Sequence, residues 1–483
     1  MFHNCNNKTS NINVNIYIVP MTIWNPNLES YPGPRYKALA DAIADDIKAG
    51  VLKPQQKLPT HRSLADVLGV TVGTVTRGYA EAEKRELIVA RMGSGTFVGS
   101  KSNGMSDYLQ SLRGHGDQID MSLSITLSHG QEQVLADILK EIGHSAASIQ
   151  GLIGYQYEAG SIRHRSVFAE WLRKFGIKTD RHNLVICNGG QNAISTILSA
   201  LTRTGDRVVS DMLTYPGFTF LVRHHRLRHF GVEMDKYGMI TEDLEDICQK
   251  HQPRILYCMP NLQNPTSTTL PEQRRREIME IAKRHDLYVI EDQVQGAFQQ
   301  DPPLPLFNLD NDRVFFSCSF SKIFAGGLRV GLIVSPNRFL KSVESALYLD
   351  SLFAPPLMAE VACNAIESGR LDKLIKEKDA EIRARQQLVD ELFEGLDYIN
   401  QPECPHAWLN LPDPWQADEF VLELQKKGVL VKAVNSFVVS PTNNTQGIRI
   451  CLTSPRKREQ VEKGLALIRD TVDQHPGVWQ SIM

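Results

Sequence analysis

Between residues 35 and 98 the apolar positions keep helical time and then change to strand time. Leu39, Ile43 and Ile47 recur at i, i+4 and i+8, which predicts an amphipathic helix over 35–49 that Gly50 stops. Leu64, Ala65 and Leu68 share one face of a short second helix, entered through Thr60 and left at Gly69. Val75, Tyr79 and Ala82 mark a third over 72–85, capped by Thr71. Two short helices across a tight Gly-containing turn predict a helix-turn-helix. The polar positions Thr74, Thr76 and Arg77 of the third helix suit a major groove. Two short runs, 87–91 and 96–98, flank Met92-Gly93-Ser94-Gly95 and predict a hairpin, with Arg91 and the glycine backbone available to a phosphate.

From about residue 121 the pattern becomes strand–helix alternation. Apolar runs at 184–187, 207–210, 255–259, 287–291, 314–317 and 331–334 alternate with helical patterns at 191–201, 216–227 and 271–284. That order predicts an α/β unit with a mainly parallel sheet covered on both faces, its site at the carboxyl ends of the strands. A helical run at 371–396 followed by mixed strand and helix reads as a smaller C-terminal subdomain. The expected organisation is an extension over 1–20, a small domain over 21–100, a linker over 101–120 and a large domain over 121–477. The first twenty residues are Asn-rich, without a signal-peptide core, and read as a disordered extension or a start assigned upstream of Met21.

Composition narrows the partners. The chain has 483 residues, 42% apolar and 22% charged, with net charge −2, so any nucleic-acid contact must be local. The small domain carries ten basic residues against eight acidic, a weak bias. The eight cysteines form no CxxC pair and no metal spacing, and four (Cys187, Cys258, Cys318, Cys451) lie in apolar runs. Free buried thiols fit a reducing cytoplasm. No apolar run approaches the length of a membrane span.

The strand ends carry the chemistry. Gly190-Gln191 opens a helix, where backbone N–H groups suit a phosphate. Tyr215 follows the second strand and has the shape to stack on a flat ring; Asn264 follows the third and has an amide for a phenolate oxygen. Asp292 follows the fourth, where a carboxylate can hold a pyridine nitrogen protonated. Then comes Ser319-Phe320-Ser321-Lys322, with Gly326-Gly327 and Arg329 behind it. A lysine between buried strands, with hydroxyls and a guanidinium nearby, suits a phosphate-bearing aldehyde held as a Schiff base.

Taken in order, these residues resemble the fold-type I pyridoxal-phosphate enzymes, specifically class I/II aminotransferases, over about 350 residues. The resemblance implies pyridoxal 5′-phosphate as cofactor. Gly190, Gln191, Ser319, Ser321 and Arg329 would then hold its phosphate, and Tyr215 would stack on the pyridine. Asn264 would meet the 3′-oxygen, Asp292 the ring nitrogen, and Lys322 would be the Schiff-base lysine and proton shuttle. Tyr155 would reach the phosphate of a neighbouring subunit, and Arg449 would clamp a substrate carboxylate. There are two departures from the family pattern. Val294 and Gln295 stand where a tyrosine is usual after the aspartate, which argues against fast transamination, and Ser267 replaces the glycine of Asn-Pro-Thr-Gly.

The earlier segment, from Leu58-Pro59-Thr60-His61-Arg62 through Gly93-Ser94-Gly95-Thr96, resembles the winged helix of GntR-type bacterial regulators. That resemblance places DNA contacts at Arg62, Thr71, Thr74 and Gly95; Val72-Gly73 departs from the Arg-Thr of many relatives. A GntR winged helix joined to an aminotransferase fold is the arrangement of MocR-type regulators. It implies a DNA-binding regulator that senses an amino compound or the cofactor, as a homodimer on an operator with two half-sites. The rival expectation is an active aminotransferase carrying a regulatory head. An empty, inactive aminotransferase fold is disfavoured, because Asp292, Lys322 and Arg329 are all present.

Overall fold

Helix α1 (Arg35–Lys48) lays Ala38, Leu39, Ala42 and Ile43 onto α2 (His61–Leu68) and α3 (Val72–Lys84), whose Leu64, Val75, Tyr79 and Ala82 complete a small core. The caps are those the residues require. The Thr60 hydroxyl accepts from Ser63 N and that of Thr71 from Thr74 N, each at 3.2 Å; Gly69 ends α2 at φ 60°. α1 and α3 cross closely at Gly78, where a Cβ would fall 2.6 Å from Leu39 Cδ2. Strands β1 (Ile88–Arg91) and β2 (Gly95–Val98) form the antiparallel wing, Ile88 opposite Val98.

This computed structural model describes residues 24–53, 56–85, 87–91, 95–98, 118–156, 159–299, 301–440 and 445–474. The expected extension, most of the expected linker (101–117) and the wing-tip residues 92–94 lie outside that set. The chain divides into two units, residues 1–107 and 108–483.

The second unit opens with β3 (Ile119–Asp120), so the last two residues of the expected linker are strand. Met121 is fully buried, and a Cβ at Gly464 would lie 2.5 Å from its sulfur, so this stretch has a packing partner that a tether lacks. The main strands are β4 (Leu184–Cys187), β5 (Arg207–Asp211) and β6 (Arg228–Val232). A small hairpin, β7 (Met234–Asp235) and β8 (Gly238–Met239), separates them from β9 (Ile255–Cys258), β10 (Tyr288–Asp292), β11 (Val314–Ser319) and β12 (Gly331–Val334). The order across the large sheet is β4-β12-β11-β10-β9-β5-β6. β11, β10, β9, β5 and β6 run parallel, and β12 is antiparallel to both its neighbours. The cause is local: the β11–β12 connection holds only two short helical turns, too little for a crossover. Alternate residues bury on opposite faces. Leu184, Ile186, Leu256, Val289 and Leu332 join one core, and Val185, Cys187, Ile255, Tyr257, Ile290 and Ile333 the other.

The smaller subdomain holds β13 (Tyr398–Ile399), β14 (His406–Asn410), β16 (Lys432–Ala433) and β17 (Gly447–Cys451) in the order β13-β14-β17-β16. β15 (Val429–Leu430) pairs in parallel with β3. The helices Arg370–Leu392 and Arg458–Val472 cover it. Among the described residues no helix is long and apolar enough to cross a membrane, and seven cysteines are buried and free.

Candidate functional site

The sheet gathers the strand-end residues at its carboxyl edge. Gly189, at φ 89°, turns the chain from β4 into the helix Gly190–Leu201. A Cβ at Gly189 would sit 2.5 Å from Arg329 Nη2, and one at Gly190 would sit 3.5 Å from Ser319 Cβ. The guanidinium is fixed by the Asn188 carbonyl (2.9 Å) and Ser321 Oγ (3.2 Å). The Ser319 hydroxyl donates to Ser321 Oγ (2.9 Å). A helix N-terminus, two hydroxyls and an exposed guanidinium thus converge, which is a donor set for a dianion.

Beside them Asp292 ends β10 at 3% exposure. The sequence pattern places it after the strand; it is the strand's last residue, so the sheet itself fixes its direction. Its Oδ1 accepts from Val294 N (3.1 Å) and its Oδ2 from the Tyr257 hydroxyl (2.8 Å). Burial pushes its carboxyl up to about 6; those two bonds and the charge of Lys322 act in the other direction. Val294 is half-buried, and Gln295 is buried with Oε1 lacking a partner, so an amide occupies the neighbourhood where the family pattern has a phenol.

Lys322 lies in a helical turn, Phe320–Ile323, rather than in an open loop. Burial pulls its amine down to about 8; the positive charges of Arg449 and Arg329 add to that, while Cys451 and Asp292 oppose it. Nζ donates to the Ser124 carbonyl. Arg449, on β17, is 6% exposed. Its Nη1 donates to Asn264 Oδ1 (2.8 Å), its Nη2 to the Ser122 carbonyl (2.7 Å), and its buried Nε to nothing. Both acceptors are neutral, which leaves a buried cation with capacity for a carboxylate. Lys322 and Arg449 therefore grip one stretch of backbone, residues 122–124, just after β3. Ser267 takes φ 64°, a conformation that favours glycine; its hydroxyl donates to the His406 carbonyl (3.0 Å), a bond glycine lacks.

Tyr215 caps the helix Pro216–His224, its ring against Gly217, where a Cβ would fall 2.3 Å from Tyr215 Cε1. Gln191 Nε2 donates to the Gly217 carbonyl (2.9 Å), so the loops after β4 and β5 are tied together. Tyr155 stands apart: it is 89% exposed, in edge contact with Phe353 at 5.9 Å.

These residues fit pyridoxal 5′-phosphate by the chemistry they leave open. There is a donor set without an acid, a buried carboxylate bonded only to uncharged donors, and a lysine whose amine is partly unprotonated near neutral pH. Sequence patterning missed Tyr257. Its signal was a phenol inside an otherwise apolar buried strand, which must find a hydrogen-bond partner.

In the head, Arg62, Thr71, Thr76 and Arg77 are exposed and Thr74 is partly so. The Thr71 and Thr74 hydroxyls bond each other (2.9 Å), and the Arg77 guanidinium lies 4.4 Å from the Tyr36 ring centre. Gly95 takes φ 109° with Lys57 against it, since a Cβ there would meet Lys57 Cε at 2.9 Å. Lys57, which pairs its backbone with Phe97, is a wing-side cation the helical pattern did not single out.

Residues 117–468 match aminotransferase class I and II. The chain belongs to that family. Residues 35–98 of this aminotransferase-family protein match the gntR family of bacterial regulatory proteins, which makes the head a DNA-binding domain. The whole arrangement recurs in an uncharacterized HTH-type transcriptional regulator, YdeF, of Bacillus subtilis, 29% identical over 94% of this chain and 97% of that protein. An aromatic-amino-acid aminotransferase of Thermococcus litoralis is 24% identical over 70% of this chain and 84% of its own length. The crystal structure of Pyrococcus horikoshii kynurenine aminotransferase superposes with a TM-score of 0.70 at 23% identity, covering 77% of this chain and 95% of that one, and so shares the fold.

Proposed function

We propose that this protein is a transcriptional regulator whose aminotransferase-family unit holds pyridoxal 5′-phosphate and senses an amino compound. The observation that carries the reading is the joining of a GntR-type head to a body that keeps Lys322, Asp292 and Arg329 at the carboxyl edge of the large sheet, with Arg449 of the smaller sheet bonded to Asn264 beside them. Relatives of the same length and order named as HTH-type transcriptional regulators support it over the enzyme reading.

When bound, the cofactor supplies an aldehyde for an amine and an electron-withdrawing ring. The chain's residues do the rest. Gly190, Gln191, Ser319, Ser321 and Arg329 would hold the phosphate. Asp292 would keep the ring nitrogen protonated, Asn264 would offer its amide to the 3′-oxygen, and Tyr215 would stack on the ring. Lys322, with its amine pulled down to about 8, accepts or returns a proton at Nζ close to neutral pH. Arg449 orients the ligand through its carboxylate. A ligand that engages Arg449 and Lys322 competes with the Ser122 and Ser124 carbonyls for the same donors. Those carbonyls belong to the stretch that follows the connection to the head in sequence, so occupancy of the site and the state of that stretch are linked.

A homodimer on two half-sites completes the reading. Tyr155, Ile153, Leu349 and Leu352 are exposed apolar groups suited to a second copy, with Tyr155 reaching its phosphate. An active aminotransferase is the second reading, supported by the same Lys322–Asp292 pair and weakened by Val294 and Gln295. Screening amino donors against the full-length protein decides between them. Spectral change and altered DNA affinity without turnover support the sensor; many turnovers with unchanged DNA affinity overturn it.

A further inference from the structure

We propose that Tyr257 is a positioning residue for Asp292, holding its carboxylate ionised and aimed so that it can pair with a protonated ring nitrogen. This rests on the cofactor reading above and goes further in naming a residue of the neighbouring strand that sets its strength.

The strand register makes the contact inevitable. On β9, Tyr257 lies opposite Ile290 of β10. Asp292 is two residues beyond Ile290, so its side chain projects on the same face. The phenol reaches across to Asp292 Oδ2 at 2.8 Å, and both residues are buried. Burial pushes the Tyr257 hydroxyl well above its ordinary range, so it keeps its proton and acts toward Asp292 only as a donor.

The ring is itself held. Phe218 stacks on Tyr257 with centroids 4.1 Å apart and planes 9° from parallel, and Phe218 has no exposure. Phe218 belongs to the helix Pro216–His224, which Tyr215 caps. One helix therefore carries both the residue placed to cover the cofactor ring and the residue that pins the partner of its nitrogen ligand. Among the described residues, Cys258 on β9, Cys318 on β11 and Lys322 in the following turn also act electrostatically with Asp292, and Tyr215 does so with Tyr257. Of these only Lys322 is cationic, and it acts at a distance, not by a bond to the carboxylate. The phenol is thus the side-chain donor that stabilises the charge, with Val294 N as its backbone companion.

The test is a titration of the full-length, cofactor-stripped protein with pyridoxal 5′-phosphate. Visible absorbance is followed between pH 5.5 and 8.5 for the wild type, Tyr257→Phe, Asp292→Asn and the double variant. Tyr257→Phe keeps the stacked ring and removes only the donor. It is expected to weaken binding about tenfold at pH 7.5 and to move the midpoint of acid-induced loss upward by about one pH unit. In the Asp292→Asn background the same change is expected to alter affinity less than twofold, because no charge remains to be stabilised. Affinity of Tyr257→Phe within twofold of wild type across the range overturns the proposal. So does an equal loss in both backgrounds, which marks a packing role. Should Tyr257→Phe melt abnormally without cofactor, the pH dependence of its melting temperature in the wild-type and Asp292→Asn backgrounds separates packing from charge: a pH-independent loss equal in both backgrounds overturns the proposal, and a loss that grows above pH 6 only with Asp292 present supports it. A wild type that takes up no cofactor overturns the underlying reading as well, whereas wild-type binding with an indifferent Tyr257→Phe overturns this inference alone.

Discussion

The head and the body treat charge in opposite ways. In the head Arg62 and Arg77 stand exposed, and the third helix offers Thr71 and Thr76 at its surface. In the body Asp292 and Arg449 are 3% and 6% exposed, and each is bonded to uncharged partners. A surface that meets a polyanion works through several screened contacts, each worth little and all weakened by salt. A pocket for one small ligand works through a few desolvated groups, each of which must find its complement. The proposed function therefore joins a reader whose contacts salt would screen to a receptor whose buried groups titrate.

The largest expected effect lies in the pocket. Lys322→Ala should abolish the adduct that borohydride traps on the wild-type protein, with peptide mass mapping as the readout; a trapped adduct that survives the substitution would place the reactive amine elsewhere. Next comes the head. Arg62→Ala should weaken binding of the full-length protein to its own upstream DNA by about tenfold at moderate salt and reduce the log–log salt slope by about one. An unchanged slope would remove Arg62 from the phosphate contacts.

The third effect concerns stability. Burial pushes the Asp292 carboxyl of the folded protein up from its ordinary 3.8 to about 6. Between those values the native protein binds more protons than the unfolded chain, so Asp292 destabilises the cofactor-free fold as pH rises toward 6 and remains unfavourable above it. Asp292→Asn should raise the melting temperature of the cofactor-free protein at pH 7.5 by a few degrees, with the gain fading between pH 6 and 4. A gain that persists at pH 4, or none at pH 7.5, contradicts that assignment. The smallest effect is Gly78→Ala, whose Cβ would press on Leu39 and should destabilise the head by about 1–2 kcal/mol, seen as a lower melting step without loss of cofactor absorbance.

Most of the strand and helix pattern was legible along the chain, because burial on two sheet faces or one helix face leaves a period in the residues themselves. Leu184–Cys187 and Gly331–Val334 begin and end where their apolar runs do. The helix expected over 216–227 stops at His224, since Arg226 takes φ 55° and the chain turns there into β6. The antiparallel direction of β12 was not legible, because direction depends on how far the connecting residues can carry the chain. The candidate site was legible as residue types at strand ends, whereas its hydrogen bonds were not. Nothing in the order of residues tells that Arg449 reaches back 327 positions to the Ser122 carbonyl.

The sequence by itself determined the two-part architecture, the helix caps at Thr60 and Thr71, and the set of groups that can serve a phosphate, a ring nitrogen and an amine. Local propensity and spacing are enough for these. Only the tertiary structure decided that β9 sets Tyr257 beside Asp292, that Gly189 gives Arg329 its place, and that Lys322 and Arg449 grip residues 122–124. Such contacts arise from strand register and from the packing of distant segments, which bury charge against partners that no local pattern names.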